Sequence, residues 1–316
     1  MDAGVLSQAV ISGLAQGAVY GLVALGFSLV HRLTRVLSFV AGDLVVGAVF
    51  VSTFVVLGTT PVVSRPTVAT ASALTVLSVL AGAALSAAVY LLAIRPYAGQ
   101  RAGTDDAGLG WVAASVAAGL VIREALTLAF PREAYALPDP LGLGRVLGRE
   151  RFGVPGGGSV PTRVVGVIVV GLLAGVLAER YLVRSRTGKA MRAVSDDPDA
   201  ATLMGIPRGR VVLVAFAVAG ALAGLAGVLV APAGPLSVGA GVVLGLKGVA
   251  AALLGGLGSL RGALVGGLAL GVAEAVAVAS PALGAAYDPV LALAVLVVVL
   301  AVRPAGLRTA YAEAVE

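Results

Sequence analysis

VLSQAVISGLAQGAVYGLVALGFSLV, residues Val5 to Val30, runs for 26 residues without a charged side chain. At about 1.5 Å of helix rise per residue, such a run crosses a hydrocarbon core of about 30 Å with some tilt. A cleaved secretory signal is a poor reading, because the chain opens with Asp2 rather than a basic segment and the run exceeds the about 7–15 apolar residues of such a signal. The segment is expected to be retained as a membrane helix.

The remainder has the same character. Of 316 residues, 59 % are hydrophobic and 12 % charged, against about 25 % charged in an ordinary soluble domain. That balance excludes a soluble globular protein, and equally a disordered polar one, which needs low hydrophobicity and high charge. The chain has no cysteine and a single histidine, His31. Disulfides, thiolate metal sites, cysteine nucleophiles and histidine clusters are excluded by that inventory, and no cofactor or metal is expected. The net charge of +6 is scattered between apolar runs with only 5 % aromatics, which points to membrane topology rather than to nucleic acid.

Eight further apolar segments follow: Val36 to Gly58, Pro66 to Ile94, Ala107 to Phe130, Val164 to Val183, Val211 to Ala231, Val238 to Leu260, Gly262 to Tyr287 and Pro289 to Val302. The fold expected is an all-α polytopic bundle of about 8–9 transmembrane helices in one domain over residues 1–316. The segments around Ser38 to Asp43 and around Lys247 are polar or glycine-rich. Either could be broken or re-entrant, which membrane depth tolerates only where protein or a watery cavity satisfies the backbone.

With nine crossings, 14 of the 22 basic residues fall on one set of ends and 6 on the other, while Arg123 and Lys247 lie inside spans. The positive-inside rule then places the C-terminus in the cytoplasm. The connection 131–161, rich in proline and glycine, is expected outside as turns, and the connection 184–210 is expected in the cytoplasm. Within the latter, Asp197 suits an N-cap, Pro198 the first helical position, Asp199 the positive helix end and Gly205 a left-handed C-terminal position. A helix of about two turns is predicted. Ala200, Ala201, Leu203 and Met204 give it an apolar surface, to pack on the chain's own membrane ends or to dock in a partner's groove.

Asp199-Ala200-Ala201, three residues and Gly205 resemble the Glu-Ala-Ala-x-x-x-Gly coupling loop of ATP-binding-cassette importer permeases. Around it, Arg186-Thr187-Gly188-Lys189-Ala190-Met191-Arg192-Ala193, Leu203-Met204-Gly205-Ile206, Gly245-Leu246-Lys247 and Leu254-Gly255-Gly256-Leu257-Gly258-Ser259 are similar to branched-chain amino-acid permeases of the LivH type. The similarity runs in order through nearly the whole chain. It implies a permease in the inner membrane, assembled with a second, LivM-like permease chain, two ATP-binding subunits and an external substrate-binding protein. Two positions depart from the family pattern. Ala41 stands where the family usually has histidine, and Arg123-Glu124 stands where uncharged polar residues are common, marking a different substrate or an internally compensated pair.

Gly13, Gly17 and Gly21 recur at four-residue spacing, as do Gly220 with Gly224, Gly262 with Gly266, and Gly267 with Gly271. This is the small-xxx-small spacing of closely packed membrane helices. Asp43, Lys247 and Glu274 are the most central charges, each costing at least about 2.5–3.5 kcal/mol at a helix centre. With Ser38 they are candidates for the translocation path, against the alternatives of mutual neutralisation or snorkelling. Replacing Lys247 with Met is expected to impair transport more than assembly.

No Gly-x-x-x-x-Gly-Lys-Ser/Thr phosphate loop is present: Gly188-Lys189 is followed by Ala190, and Val183 occupies the earlier glycine position. An importer permease would therefore draw its energy from a separate ATPase at Asp197 to Gly205. The competing reading is an ion-gradient carrier of a small polar solute using Asp43 and Glu274 as cation sites. Permeases of this kind also serve urea or short amides, and the sequence does not choose among these substrates.

Overall fold

The computed structural model describes residues 3–58, 67–97, 105–130, 134, 135, 137, 151–154, 158–280 and 294. Helix α1 (Ala3–Thr34) is followed by α2 (Ala41–Leu57), α3 (Val68–Val89) with a π-helical turn at Tyr90–Ile94, and α4 (Asp105–Ala129). A hairpin of β1 (Arg151–Val154) and β2 (Gly158–Pro161) leads to α5 (Thr162–Arg184), α6 (Arg186–Asp196), α7 (Pro198–Leu203) and α8 (Arg208–Val230). The last described helices are α9 (Ala240–Gly255) and α10 (Leu260–Ala279).

Among the described residues, six helices are long and apolar enough to cross a membrane: α1, α3, α4, α5, α8 and α10. The two shorter apolar helices, α2 and α9, have 17 and 16 residues, or about 25 Å. They lie in the two segments for which the sequence leaves a broken or re-entrant helix open, and each is a continuous helix. The second segment begins its helix at Ala41 rather than Val36, because α1 ends in a left-handed Arg35 (φ 57°) whose N–H is held by the His31 carbonyl. The expected span from Pro289 to Val302 lies outside the described residues apart from residue 294. Within the connection 131–161 the described residues include the antiparallel β1–β2 hairpin, and Tyr135 exchanges two backbone hydrogen bonds with Leu236.

One end of the bundle gathers basic residues. Ser195 Oγ donates to the Arg32 carbonyl at the end of α1, Arg261 at the start of α10 pairs with Glu179 near the end of α5, and Gly209 lies beside the Tyr90 hydroxyl. The opposite end is closed by edge-to-face contacts among Phe50, Phe130 and Tyr135, with Arg163 donating to the Pro232 carbonyl. Since α1 ends at the basic end and α8 begins there, these two neighbouring helices are antiparallel.

The connectivity repeats. Helix α1 lies along α10, and α8 lies along α3; α2 and α9, the short helices that follow α1 and α8, cross each other. Leu37-Ser38-Phe39-Val40-Ala41-Gly42 leads into α2, and Leu236-Ser237-Val238-Gly239-Ala240-Gly241 leads into α9. The backbone repeats too, with Val40 at φ −69°, ψ −16° and Gly239 at φ −72°, ψ −14°. Both short helices stop at a left-handed glycine, Gly58 and Gly256. The two sets of three helices are thus inverted copies related across the bundle. Their shared point is the crossing of α2 and α9, where Gly42 sits against the Gly241 carbonyl and the backbone of Gly245, so close that Gly42 has no space for a side chain.

The glycine rows lie at the other close approaches. A Cβ on Gly13 would come within 2.7 Å of the Gly271 carbonyl, and one on Gly17 within 2.7 Å of Leu268 Cα. Gly21 faces Leu264, with Gly267 against its own backbone, while Gly262 and Gly266 meet Gly255 of α9. Gly220 and Gly224 face Gly82 and Ser78 of α3, where Ser78 and Ser86 donate to the carbonyls of Gly224 and Phe216. Replacing Gly220 with Leu is expected to force α3 and α8 apart and to cut the folded, monodisperse fraction in detergent severalfold. Gel filtration of a fluorescent fusion measures that fraction, and an unchanged profile would contradict this packing.

Candidate functional site

Three groups of residues stand out once the helices are placed. The first is buried between α1, α9 and α10. Lys247 of α9 is 5 % exposed and Glu274 of α10 3 % exposed; they form an ion pair, and Lys247 Nζ also donates to the Tyr20 hydroxyl of α1 at 3.2 Å. The ammonium lies 5.4 Å from the centre of the Tyr20 ring, within cation–π range. Two opposite charges, a hydroxyl and a ring face therefore satisfy one another inside a segment where an isolated charge would be expensive.

The second group is at the start of α2. Asp43 Oδ1 accepts from Arg123 Nε at 3.2 Å and Nη2 at 2.8 Å, so the arginine noted in the sequence is compensated from within the chain. Gly119 of α4 makes this possible, because a Cβ there would lie 2.5 Å from Asp43 Oδ2. The loop before α2 is held by the Phe39 N–H donating to Ser115 Oγ at 3.2 Å. A cavity of about 260 Å³ opens beside the pair, lined by Ser38, Ala41, Asp43 and Arg123 on one side and by Val242, Leu246 and Val249 among others. Ala41, the departure from the family pattern, faces this same space.

Of the four path candidates, the structure thus brings Lys247 to Glu274 and Ser38 to Asp43, in two separate places. Arg123 and Tyr20 complete these groups without having been singled out as site residues. Arg123 carries a signal, as a basic residue inside a span whose adjacent Glu124 points to a different helix face. Tyr20 had only its hydroxyl.

The third group is the connection between α5 and α8. Asp197 caps α7 as its residue type suggests: its Oδ1 accepts from the N–H groups of Asp199 at 3.0 Å and Ala200 at 2.9 Å, a contact of about 1 kcal/mol. Gly205 takes φ 81°, closing the helix with its N–H on the Thr202 carbonyl and that of Ile206 on the Ala201 carbonyl. The preceding α6 is fixed by a Ser185 cap on the Gly188 N–H, by buried Met191 and Val194, and by the Ser195 bond to α1. The apolar residues of α7 divide between two directions. Ala201 is 4 % exposed and belongs to the core, whereas Leu203 is 88 % and Met204 83 % exposed, with Ala200 exposed beside them. A capped helix therefore presents an exposed apolar face at the basic end, covered by none of the described residues.

Comparison with known proteins agrees in length and order. The sequence profile of the family described as "Branched-chain amino acid transport system / permease component" matches residues 9–300. The chain is 30 % identical over 302 residues to the high-affinity branched-chain amino acid transport system permease protein LivH of Salmonella typhimurium, covering 95 % of this chain and 94 % of that one. The LivH of Escherichia coli K12 gives the same identity and coverage. BraD of Pseudomonas aeruginosa, a permease protein of the same description, is 28 % identical over 306 residues, with 95 % and 94 % covered. No solved structure matches. An apolar helical bundle, matched by that profile over nearly its full length, belongs to the family of branched-chain amino acid transport system permease components.

Proposed function

We propose that this chain is the inner-membrane permease subunit of an ATP-binding-cassette importer that moves branched-chain amino acids into the cell. The observation that carries the reading is the exposed Ala200, Leu203 and Met204 face on a helix capped by Asp197 at its start and closed by Gly205 at its end. Two large apolar side chains in water at the end of a rigid helix are the mark of a helix that enters a partner's groove. In this reading residues 1–316 form one permease domain, 131–161 an external loop and 184–210 the cytoplasmic coupling loop. The basic end faces the cytoplasm, and the C-terminus lies on that side. The partners are a related second permease chain, two ATP-binding subunits and an external binding protein that delivers substrate.

The gradient-driven alternative asks for Asp43 and Glu274 as cation sites. Each is already neutralised by a basic side chain, Arg123 and Lys247, which weakens that reading. Uptake of labelled leucine by proteoliposomes containing the co-purified complex and the binding protein separates the two. Uptake is expected to require internal or external ATP on the face bearing α7 and to survive dissipation of ion gradients. Uptake that proceeds without ATP and collapses with an ionophore would overturn the proposal.

A further inference from the structure

The Asp43–Arg123 pair is more than a neutralised charge, because it borders open space. Arg123 keeps a quarter of its side-chain surface exposed while Asp43 is buried, and the cavity between α2, α4 and α9 measures about 260 Å³, several times the about 30 Å³ of one water. The first turn of α2 adds the positive end of its dipole at the same point. The wall from Val242, Leu246 and Val249 of α9 is aliphatic, as are Val116 and Leu120 on the turns of α4 before Arg123.

We infer that this cavity is a subsite for the zwitterion of an aliphatic α-amino acid, with Asp43 taking the ammonium and Arg123 taking the carboxylate. The inference rests on the importer reading and names the substrate class at one place in the path. Its logic is charge bookkeeping at membrane depth. A zwitterion entering between the two side chains exchanges one ion pair for two, so the site is neutral before and after. A cationic or anionic amino acid leaves a charge without a counter-charge, which is costly in a buried setting. Urea or a simple amide carries no charge with which to part the pair. The aliphatic wall then receives a branched side chain.

Single substitutions at this pair leave a lone charge and can fail to fold, so the informative variant is neutral: Asp43→Asn with Arg123→Gln in the same chain. Asn and Gln keep nearly the same shapes and can hydrogen-bond each other. The complete complex, with its ATP-binding subunits and binding protein, is purified and reconstituted for both proteins. Assembly, basal ATP hydrolysis and ATP-dependent uptake of labelled leucine are compared per assembled complex. The subsite predicts assembly and basal hydrolysis within twofold of the unaltered complex and leucine uptake reduced at least tenfold. A smaller reduction at equal assembly overturns the subsite and makes the pair purely structural. Failure of the unaltered complex itself to take up leucine would instead sink the importer reading, so the two failures are distinguishable.

Discussion

Leu203→Glu combined with Met204→Glu is expected to abolish ATP-dependent uptake while leaving the amount of folded permease unchanged. Both side chains stand in water in the isolated chain, and exposed substitutions away from structural features change stability by only about 0.5 kcal/mol. Their cost falls on docking. Two central apolar anchors of a helix-in-groove interface contribute about 2 kcal/mol each, so losing both weakens association by about a thousandfold. Placing two carboxylates into an apolar groove adds a desolvation penalty in the same direction. ATP-driven leucine uptake and permease abundance, measured on the same membranes, check this. Normal uptake at normal abundance would mean that the exposed face has no coupling role.

Lys247→Met is expected to have the largest effect on stability. It leaves the Glu274 carboxylate, 3 % exposed, without its ammonium, and breaking a buried pair in this way costs about 3–5 kcal/mol. The sequence alone places the effect of this substitution mainly on transport; the burial of the pair adds a cost to assembly. The companion variant Lys247→Met with Glu274→Gln removes both charges and is expected to recover most of the lost stability. Thermal unfolding in detergent, followed by light scattering or tryptophan fluorescence, distinguishes the two. A single variant as stable as the unaltered protein would show that the carboxylate finds another way to be neutralised.

Much of this architecture is visible in hydropathy. Eight apolar segments coincide with helices because a stretch of about 20 apolar residues has few other ways to satisfy its backbone in lipid. The capped α7 is equally legible, since Asp197, Pro198 and Gly205 each act through local backbone chemistry. The pairing of charges is not. Most of these helices are apolar on all sides, so the pattern gives no rotational phase, and nothing local tells Asp43 to face Arg123 rather than Lys247. The same flat pattern hides the inverted repeat, although Leu-Ser-x-x-Ala-Gly occurs before both short helices and is its visible trace. The hairpin in 151–161 escapes a reading that weighs proline and glycine as turn formers without asking whether short strands flank them.

The absence of cysteine from the chain allows a direct test of α7 as the contact with a separate ATPase. A single cysteine is introduced at Leu203, or as a control at Leu173, exposed near the middle of α5. Membranes containing all the transporter's subunits are treated with a short thiol-to-amine crosslinker. A crosslink is expected from Leu203→Cys to the ATP-binding subunit that weakens or shifts on adding ATP, with none from Leu173→Cys. No crosslink from Leu203→Cys in membranes that take up leucine, or the same crosslink from both positions, would contradict it.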